Sequence, residues 1–331
     1  MRISQKTTIE PYQSTLNSLQ KKQFDDNTRL TTKRNIVDLA DAPDDLTYAK
    51  NLSAIITQNK SFIDVIDQTV SEMNVMEESA QNISDTFNSI RTISIDATLT
   101  GASGNLFSLG VNLKGYLTDL LSDANVDFGG KFSFSGTKTT VGSLTQTEDS
   151  KTDLPFELIE GEKTADNPSG LKVVFKGNNN ERMINKEQKS TEVINITASE
   201  IFGGDGTEIF STVIDMYNKL TYDDQGNLRD TNDVFSTADI AEISDMQAKI
   251  ATQNEKLINA ISRLGAKSTR LTTLSSQMAS ENVTLEGLKS AKYDTDYAQV
   301  VSSLKLTETA LNYTLAVGAK MFNTSLLDFL G

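Results

Sequence analysis

The fold is decided by residues 243–285, which read ISDMQAKIATQNEKLINAISRLGAKSTRLTTLSSQMASENVTL. An apolar residue recurs there every seven positions, at Ile243, Ile250, Leu257, Leu264, Leu271, Met278 and Leu285. The stretch holds no proline, and Gly265 is its only glycine. A strict seven-residue apolar repeat is the signature of one helix lying along another. At about 1.5 Å per residue we expect a helix on the order of 60 Å long, which favours an elongated rod.

A second heptad system in the first half of the chain supplies a partner for this helix. Ile66, Met73, Ala80 and Phe87 are seven apart, and neighbouring columns extend the apolar stripe over residues 46–97 without Pro or Gly. Short connections favour antiparallel neighbours. We therefore predict an intrachain seam in which Ile66, Met73 and Phe87 face the seven-residue column of 243–285.

A second column of the long stretch is polar. It comprises Gln247, Asn254, Ser268, Ser275 and Asn282, with Ile261 as the exception. Polar residues at seam positions fix the register of paired helices at some cost in stability. A column at the solvent edge of the seam would have the same composition, so both readings stay open.

The sequence between the two long helices changes character. A shorter helix is expected from the apolar face Leu106, Leu109, Leu113, Leu117 and Leu120. From about residue 128 to 201 the chain is Gly/Thr/Asn-rich, with candidate strands at 131–135, 155–159, 171–176, 181–184 and 192–197. A further helix follows, with one face made of Ile209, Val213, Met216 and Leu220. We interpret the β-like part as a small inserted domain.

The two ends of the chain form a third helical pair. An apolar heptad pattern at the C-terminus runs through Tyr297, Val301, Leu304, Leu311, Leu315, Gly318 and Phe322. The N-terminal pattern is weaker, and its helix is expected to begin after Pro11, because proline suits a first helical turn. A poorly covered apolar stripe marks an association site. We predict that neighbouring subunits cover Leu16, Leu19, Leu304, Leu311, Leu315, Phe322, Leu326, Leu327 and Phe329.

Composition excludes several functional classes. The 331 residues include no Cys, His or Trp, which removes most zinc sites, cysteine nucleophiles and histidine-based triads. Acidic residues outnumber basic ones 45 to 31, and a formal charge of −14 disfavours binding to nucleic acid or an anionic membrane. The sequence holds no apolar run long enough to span a bilayer, and residues 1–8 lack the apolar core of a cleavable secretory signal.

Carboxylates are the remaining candidates for chemistry. Adjacent pairs occur at Asp25-Asp26, Asp44-Asp45 and Asp223-Asp224, and each is expected to be a pair of solvated surface acids. The run Gly203-Gly204-Asp205-Gly206 lacks the Lys-Ser/Thr of a phosphate loop, and the acidic runs lack calcium-loop spacing. We therefore predict no catalytic residue, cofactor or metal site.

Five short stretches form an ordered set of motifs along the chain. They are Met1-Arg2-Ile3-Ser4; Arg29-Leu30-Thr31-Thr32-Lys33-Arg34 followed by Asp41-Ala42-Pro43-Asp44-Asp45; Phe134-Ser135-Gly136-Thr137-Lys138-Thr139; Leu264-Gly265-Ala266-Lys267-Ser268-Thr269-Arg270-Leu271; and Ser325-Leu326-Leu327-Asp328-Phe329-Leu330. In order and spacing they resemble the flagellin superfamily, most closely its hook-associated protein 3 type. The usual Gly before Lys-Arg is missing. The resemblance covers about residues 1–140 and 205–331, and the β-like part has no counterpart in it.

The resemblance implies a layered architecture. In that family the terminal segments form the inner helical layer of a tube, the long helices form the next layer, and the inserted domain faces outward. We accordingly expect terminal helical segments at 1–40 and 291–331, a long-helix domain at 41–130 and 203–290, and a β-rich outer domain at 131–202. The fold class is mainly α with inserted β (α+β), as an elongated antiparallel long-helix bundle or coiled-coil rod.

The resemblance also implies a structural function. The chain would be an extracellular adaptor that joins flagellar hook to filament, exported by the flagellar type III apparatus without a cleavable signal. The implied partners are copies of the chain in a ring, a hook-side junction protein, flagellin, and an export chaperone at the C-terminal segment. Two alternatives stay open, flagellin itself and a secreted adhesin or needle-tip-like protein that binds through the β insert. An enzyme is the weakest reading.

Overall fold

The computed structural model describes residues 5–36, 42–100, 105–144, 153–230 and 233–330, although the side chains of 5–8, 100 and 321–330 are not described. The elements, in chain order, are α1 (Gln5–Thr32), α2 (Pro43–Thr100), α3 (Leu106–Ala124), β1 (Asp127–Phe128), β2 (Lys131–Phe132), a 3₁₀ turn (Val141–Ser143), β3 (Phe156–Glu160), β4 (Leu171–Phe175), β5 (Met183–Glu187), β6 (Ser190–Val193), α4 (Ala198–Phe202), α5 (Glu208–Thr221), α6 (Thr237–Tyr293) and α7 (Tyr297–Leu330). The predicted class, mainly α with inserted β, is confirmed.

The chain divides into two compact units. One unit contains Met1–Ser61 and Met278–Gly331, and the other contains Phe62–Gln277. The three-part division drawn from the sequence stays a prediction.

The residues of the predicted intrachain seam lie on α2 and α6. Nine of the ten are buried: Ile66, Met73, Phe87, Ile243, Ile250, Leu257, Leu264, Leu271 and Met278. Leu285, near the C-terminal end of α6, is partly exposed. An apolar column that is excluded from water along a helix stabilises the fold by about 1.5–3 kcal/mol for each large side chain.

Hydrogen bonds join the polar column of α6 to α2 at positions that are equally spaced along the two helices. The bonds join Asn254 to Asn88 at 3.2 Å, Ser268 to Asn74 at 3.4 Å and Ser275 to Asp67 at 2.8 Å. Each step toward the C-terminus of α6 is matched by the same step toward the N-terminus of α2, so the helices are antiparallel. Asn254 also accepts a bond from the buried Ser84 hydroxyl at 2.7 Å. These bonds favour the register interpretation over a solvent edge.

Helices α3 and α5 pack against each other through the faces that the sequence indicates. The buried set is Leu106, Leu113, Leu117 and Leu120 of α3 with Ile209, Val213, Met216 and Leu220 of α5. The closest approach is at Gly110, where a Cβ atom would overlap the Thr221 hydroxyl. Gly115, one turn and a half further along α3, has open space around its Cα.

Two alanine substitutions in α3 should therefore have opposite effects. Gly115→Ala should raise the free energy of unfolding by about 0.5–1 kcal/mol, because alanine has the higher helix propensity. Gly110→Ala has the same propensity gain but should lower stability by about 1–3 kcal/mol, because Thr221 must move out of the way. Urea unfolding of both variants measures this difference. Equal shifts in the two variants would contradict the close packing of α3 on α5.

The β strands form three separate two-stranded antiparallel hairpins: β1 with β2, β3 with β4, and β5 with β6. The predicted strand 131–135 is too long, and the predicted strand 192–197 begins two residues late and ends four residues late. After β2 the chain turns at Gly136, whose φ is 66°, and after β6 it leads into Thr197, which caps α4 by accepting the Glu200 N–H. Phe156 of β3 packs between the β3–β4 hairpin and helices α4 and α5. Its ring centroid lies 5.2 Å from that of Phe202 and 5.6 Å from that of Phe210.

The N-terminus of α6 is fixed by a charged capping cluster. Asp239 Oδ2 accepts the Ser236 N–H at 2.9 Å, and the Ser236 hydroxyl accepts the Asp239 N–H at 3.2 Å. The Lys219 ammonium of α5 lies 2.6 Å from Asp239 Oδ1. Burial disfavours the charged form of Asp239, but the Lys219 and Ser236 hydrogen bonds outweigh it and lower the pKa of this carboxyl.

This capping cluster predicts an acid-sensitive contribution to stability. Because the pKa of Asp239 is lowered in the folded chain, its stabilising effect is present above the ordinary aspartate pKa of about 3.9 and is lost as the pH falls through the folded value. Asp239→Asn should lower the free energy of unfolding by about 1 kcal/mol at neutral pH. The difference between the variant and the original chain should shrink as the pH falls below the ordinary aspartate pKa and disappear once the pH is below the folded pKa of Asp239. A pH-independent difference would contradict the proposed role of the charge.

Candidate subunit-assembly surface

Helices α1 and α7 pair within the unit that contains both chain ends. Gly318 lies so close to the Tyr12 phenol that a Cβ atom there would overlap it. Further along, the Ser303 hydroxyl donates to Asp26 Oδ2 at 2.8 Å. Because Tyr12 precedes Asp26 while Gly318 follows Ser303, the two helices are antiparallel.

Two expectations from the sequence are wrong in this pair. Helix α1 begins at Gln5 and contains Pro11, whereas the helix was expected to begin after that proline. Proline inside a helix removes one backbone hydrogen bond. Asp26 was expected to be a solvated acid but is only 2% exposed, because α7 covers it and Ser303 bonds to it.

Backbone hydrogen bonds join the chain after α1 to the junction between α6 and α7. Asn35 N–H donates to the Tyr293 carbonyl at 2.9 Å, and Thr295 N–H donates to the Lys33 carbonyl at 3.2 Å. The Arg34 guanidinium lies 5.3 Å from the centroid of the Tyr293 ring. Lys33 and Arg34 belong to the Lys-Arg motif, and Lys33 has a φ of 61°, which places it in the left-handed region that favours glycine.

One face of α7 is covered by α1. It consists of Val300, Thr307 and Gly318, all buried, with Ser303 beside them. Spacings of seven and eleven residues place these side chains on one side of a helix. The remaining surface of α7 therefore faces away from α1.

Two apolar stripes flank this covered face and are exposed. The first stripe is Tyr297, Val301 and Leu315, which are 46%, 50% and 47% exposed. The second stripe is Leu306, Tyr313 and Val317, which are 69%, 71% and 53% exposed. Between residues 297 and 319 the only charged residues are Lys305 and Glu308. Exposed apolar stripes of this kind are typical of association surfaces.

The predicted assembly residues differ in their exposure to solvent. Leu16, Leu19, Leu304 and Leu311 are partly exposed in the α1–α7 pair, and Leu315 is exposed in the first stripe. The side chains of Phe322, Leu326, Leu327 and Phe329 lie outside the described residues. The assembly role of all nine stays a prediction.

The second stripe was missed by the sequence reasoning. Leu306, Tyr313 and Val317 have the spacing i, i+7 and i+11, which is itself a helical-face signal. The sequence pattern does not reveal them readily, because the heptad pattern through Val301 and Leu315 is the stronger apolar signal of α7. Phe24 of α1, which is 68% exposed, was missed as well.

Two of the recognised motifs have structural roles. The Phe-Ser-Gly loop packs on the Asn178 backbone, where Gly136 leaves no room for a Cβ atom, and the Thr137 N–H donates to Asn178 Oδ1 at 2.9 Å. In the Leu-Gly-Ala motif of α6, Lys267 Nζ donates to the Val193 carbonyl at 3.0 Å, and Arg270 pairs with Glu192. Both motifs therefore hold the hairpins against the rest of their unit. The residues 1–4 of the first motif lie outside the described part.

The other carboxylate pairs are placed as ordinary surface groups. Asp45 lies 3.4 Å from Lys292, and Asp223 accepts the Gln225 and Asn227 N–H groups of its own turn at 2.9 and 2.8 Å. Hydrogen bonds from these N–H groups lower the pKa of Asp223, with the Asn227 backbone as the main cause. Within the described ranges, no group of three or more acidic side chains is arranged to hold a metal ion. Nor does any described helix combine the length and apolar character of a membrane span.

Comparison with solved structures identifies the fold. A flagellar hook-associated protein from Vibrio parahaemolyticus aligns with a TM-score of 0.58 and 20% identity, over 77% of this chain and 100% of its own. FlgL from Xanthomonas campestris aligns with a TM-score of 0.54 and 15% identity, over 73% and 99% of the two chains. The flagellar junction protein FlgL from Legionella pneumophila gives 0.51 and 15%, over 76% and 99%.

This chain has the hook-associated protein fold. The resemblance drawn from the sequence motifs is thus confirmed at the level of the fold. The alignments extend over nearly the full length of each of these solved chains and over about three quarters of this chain. No protein-family model matches the sequence, and no curated protein matches it.

Proposed function

We propose that this chain is a structural subunit of the bacterial flagellum that joins hook to filament. The observation that carries the proposal is the pair of exposed apolar stripes on α7. On α7 one face is covered by α1 and two apolar stripes are uncovered. Each chain can therefore contact two different neighbours. Such heterologous contacts build rings or helical arrays, not closed dimers. The fold shared with the Vibrio, Xanthomonas and Legionella proteins supports the flagellum as the site of assembly.

The partners follow from that position. Copies of the chain form a ring through α7, a hook-side junction protein lies on one side of the ring, and flagellin lies on the other. An export chaperone binds the C-terminal segment before assembly. The protein acts outside the cell, and it catalyses no reaction. The exposed stripes of α7 are the physical basis for these contacts, because an apolar surface of this kind must be covered both during export and in the final structure.

Labelling of intact flagella tests the proposal. An antibody raised against residues 140–200 should mark a single band between hook and filament in electron micrographs. Label along the whole filament would instead identify a flagellin. Absence of label from flagella, with the protein detected in the culture medium, would favour a secreted binding protein.

A further inference from the structure

The β3–β4 hairpin has two outer edges, and the edge of β3 is closed at Phe156. Phe156 N–H donates to Asn125 Oδ1 at 2.9 Å, and Asn125 Nδ2 donates to the Phe156 carbonyl at 2.8 Å. A single asparagine side chain therefore satisfies both backbone groups of Phe156 that point away from β4. The β3 edge is therefore blocked at this residue as a template for another strand.

The edge of β4 is open. Lys176 N–H donates to the Pro155 carbonyl at 2.9 Å, and Gly161 N–H donates to the Gly170 carbonyl at 2.8 Å. Backbone groups alternate in direction along an antiparallel strand, so those of Val173 and Phe175 point away from β3. Neither residue has a hydrogen-bond partner for these groups among the residues that the structure describes.

A groove of about 390 Å³ follows this open edge. Its wall includes Lys172, Val173, Val174 and Phe175 in succession. Alternate residues of a strand lie on opposite faces of a sheet, so four successive residues can line one groove only along the edge. Asp205 lines the groove as well, and its carbonyl accepts the Asn179 side-chain N–H at 3.0 Å, beyond the end of β4 that is far from Lys172. Within the described residues neither Lys172 nor Asp205 takes part in an ion pair.

We propose that two copies of this chain pair through their β4 edges. The strands lie antiparallel about Val174, so that Val173 of each copy exchanges two backbone hydrogen bonds with Phe175 of the other. This arrangement satisfies every outward backbone group of the two residues. It also places Lys172 of each copy at the Asp205 end of the second copy's groove, so the charges of the two grooves are complementary.

The charge pattern selects a second copy as the occupant. A lysine on an edge strand ordinarily discourages pairing with another strand, because an ammonium must then approach a second sheet. Here the two-fold arrangement sets Lys172 across from Lys176 of the second copy, whose ammonium is already 2.8 Å from Glu157 Oε2, and toward the end of the groove that Asp205 lines. A two-fold contact cannot relate successive subunits of one ring, so this contact forms between free chains and is independent of the proposed function.

A charge-reversal series tests this dimer contact in the full chain by analytical ultracentrifugation over a range of concentrations. The original chain should show a concentration-dependent dimer. Lys172→Glu and Asp205→Lys should each weaken it about tenfold or more, because each creates a like-charge pair. The double variant should restore dimerisation, since it exchanges the two charges. A chain that stays monomeric, or dimers that ignore both single reversals, would overturn the proposal.

A cysteine placed on the two-fold axis gives a second, site-specific readout. The chain has no cysteine of its own, so a single replacement reports one contact. Val174 would face Val174 of the second copy as a non-hydrogen-bonded pair about 4.5 Å apart at Cα, which suits a disulfide. Val174→Cys should therefore cross-link on mild oxidation. Glu162→Cys, exposed in the loop of the same hairpin, is the control. Equal cross-linking of the two variants would contradict pairing through β4.

Discussion

Replacing Leu306 and Tyr313 with serine should abolish incorporation of the chain into flagella and leave the folded monomer nearly unchanged. Both side chains are about 70% exposed on α7, at 69% and 71%, so the free chain loses little when they are shortened. In the assembly each buried side chain would contribute about 1.5–3 kcal/mol to every contact. This loss of contact free energy is repeated in every subunit, so the ring does not form.

The measurement has two parts. A strain that lacks the natural chain is complemented with the variant, and flagella are counted in electron micrographs. The helix content of the purified variant is measured by circular dichroism. The control is Leu228→Ser with Val234→Ser, which are 62% and 53% exposed in the other unit and should leave assembly intact. Normal flagella in the α7 variant would refute the assembly role of the second stripe, and loss of helix content would show that the stripe belongs to the monomer core.

The same design extends to the first stripe. Leu315 is 47% exposed, whereas Leu311 beside it is partly covered. Their joint replacement by serine should also prevent incorporation, with a small loss of monomer stability from Leu311 that the second-stripe variant does not show. The two variants together distinguish a helix with two neighbours from a helix with one.

Phe87→Ala should be the most destabilising single change in the long helices. Phe87 is fully buried in the seam of α2, and its removal leaves a cavity that neighbouring helices fill only in part. Large aromatic deletions of this kind lower the free energy of unfolding by about 3–5 kcal/mol. Denaturant unfolding, followed by circular dichroism, measures the loss.

The matched control is Phe107→Ala in the neighbouring helix α3. Phe107 is 40% exposed, so the same chemical change should cost about 1 kcal/mol or less. If both variants lost the same stability, burial in the seam would not be the cause. A Phe87→Ala chain of undiminished stability would mean that the α2 column is not packed as described.

The helices were predictable because their information is local and repeated. The seven-residue spacing of Ile243, Ile250 and Leu257 identifies both the helix and its buried side without reference to any other part of the chain. Hydrogen-bond partners were not predictable in this way. Asn254 meets Ser84 and Asn88, which are far away in sequence, only through the register of two helices. The polar column was therefore ambiguous until the structure supplied that register.

The candidate assembly surface was predictable only in part, because tertiary packing decides which apolar face is covered. Val301 and Leu306 are equally apolar in sequence, and both turn out to flank the face that α1 covers. Asp26 shows the converse: a charged residue in a polar stretch is buried when a neighbouring helix offers it a hydroxyl. Neither result follows from the composition of α1 or α7 alone.

The bonds of Asn254 also bear on how the chain avoids misfolding. Heptad surfaces are nearly self-similar, so a shift of α6 by seven residues along α2 would preserve much of the apolar contact. In the two nearest shifted alignments Glu77 or Arg91 would replace Ser84 beside Asn254. The buried amide would then lose its hydroxyl partner and adjoin a long charged side chain, at a cost of about 1–3 kcal/mol. One asparagine thus separates the native state from its most similar competitors during the folding search.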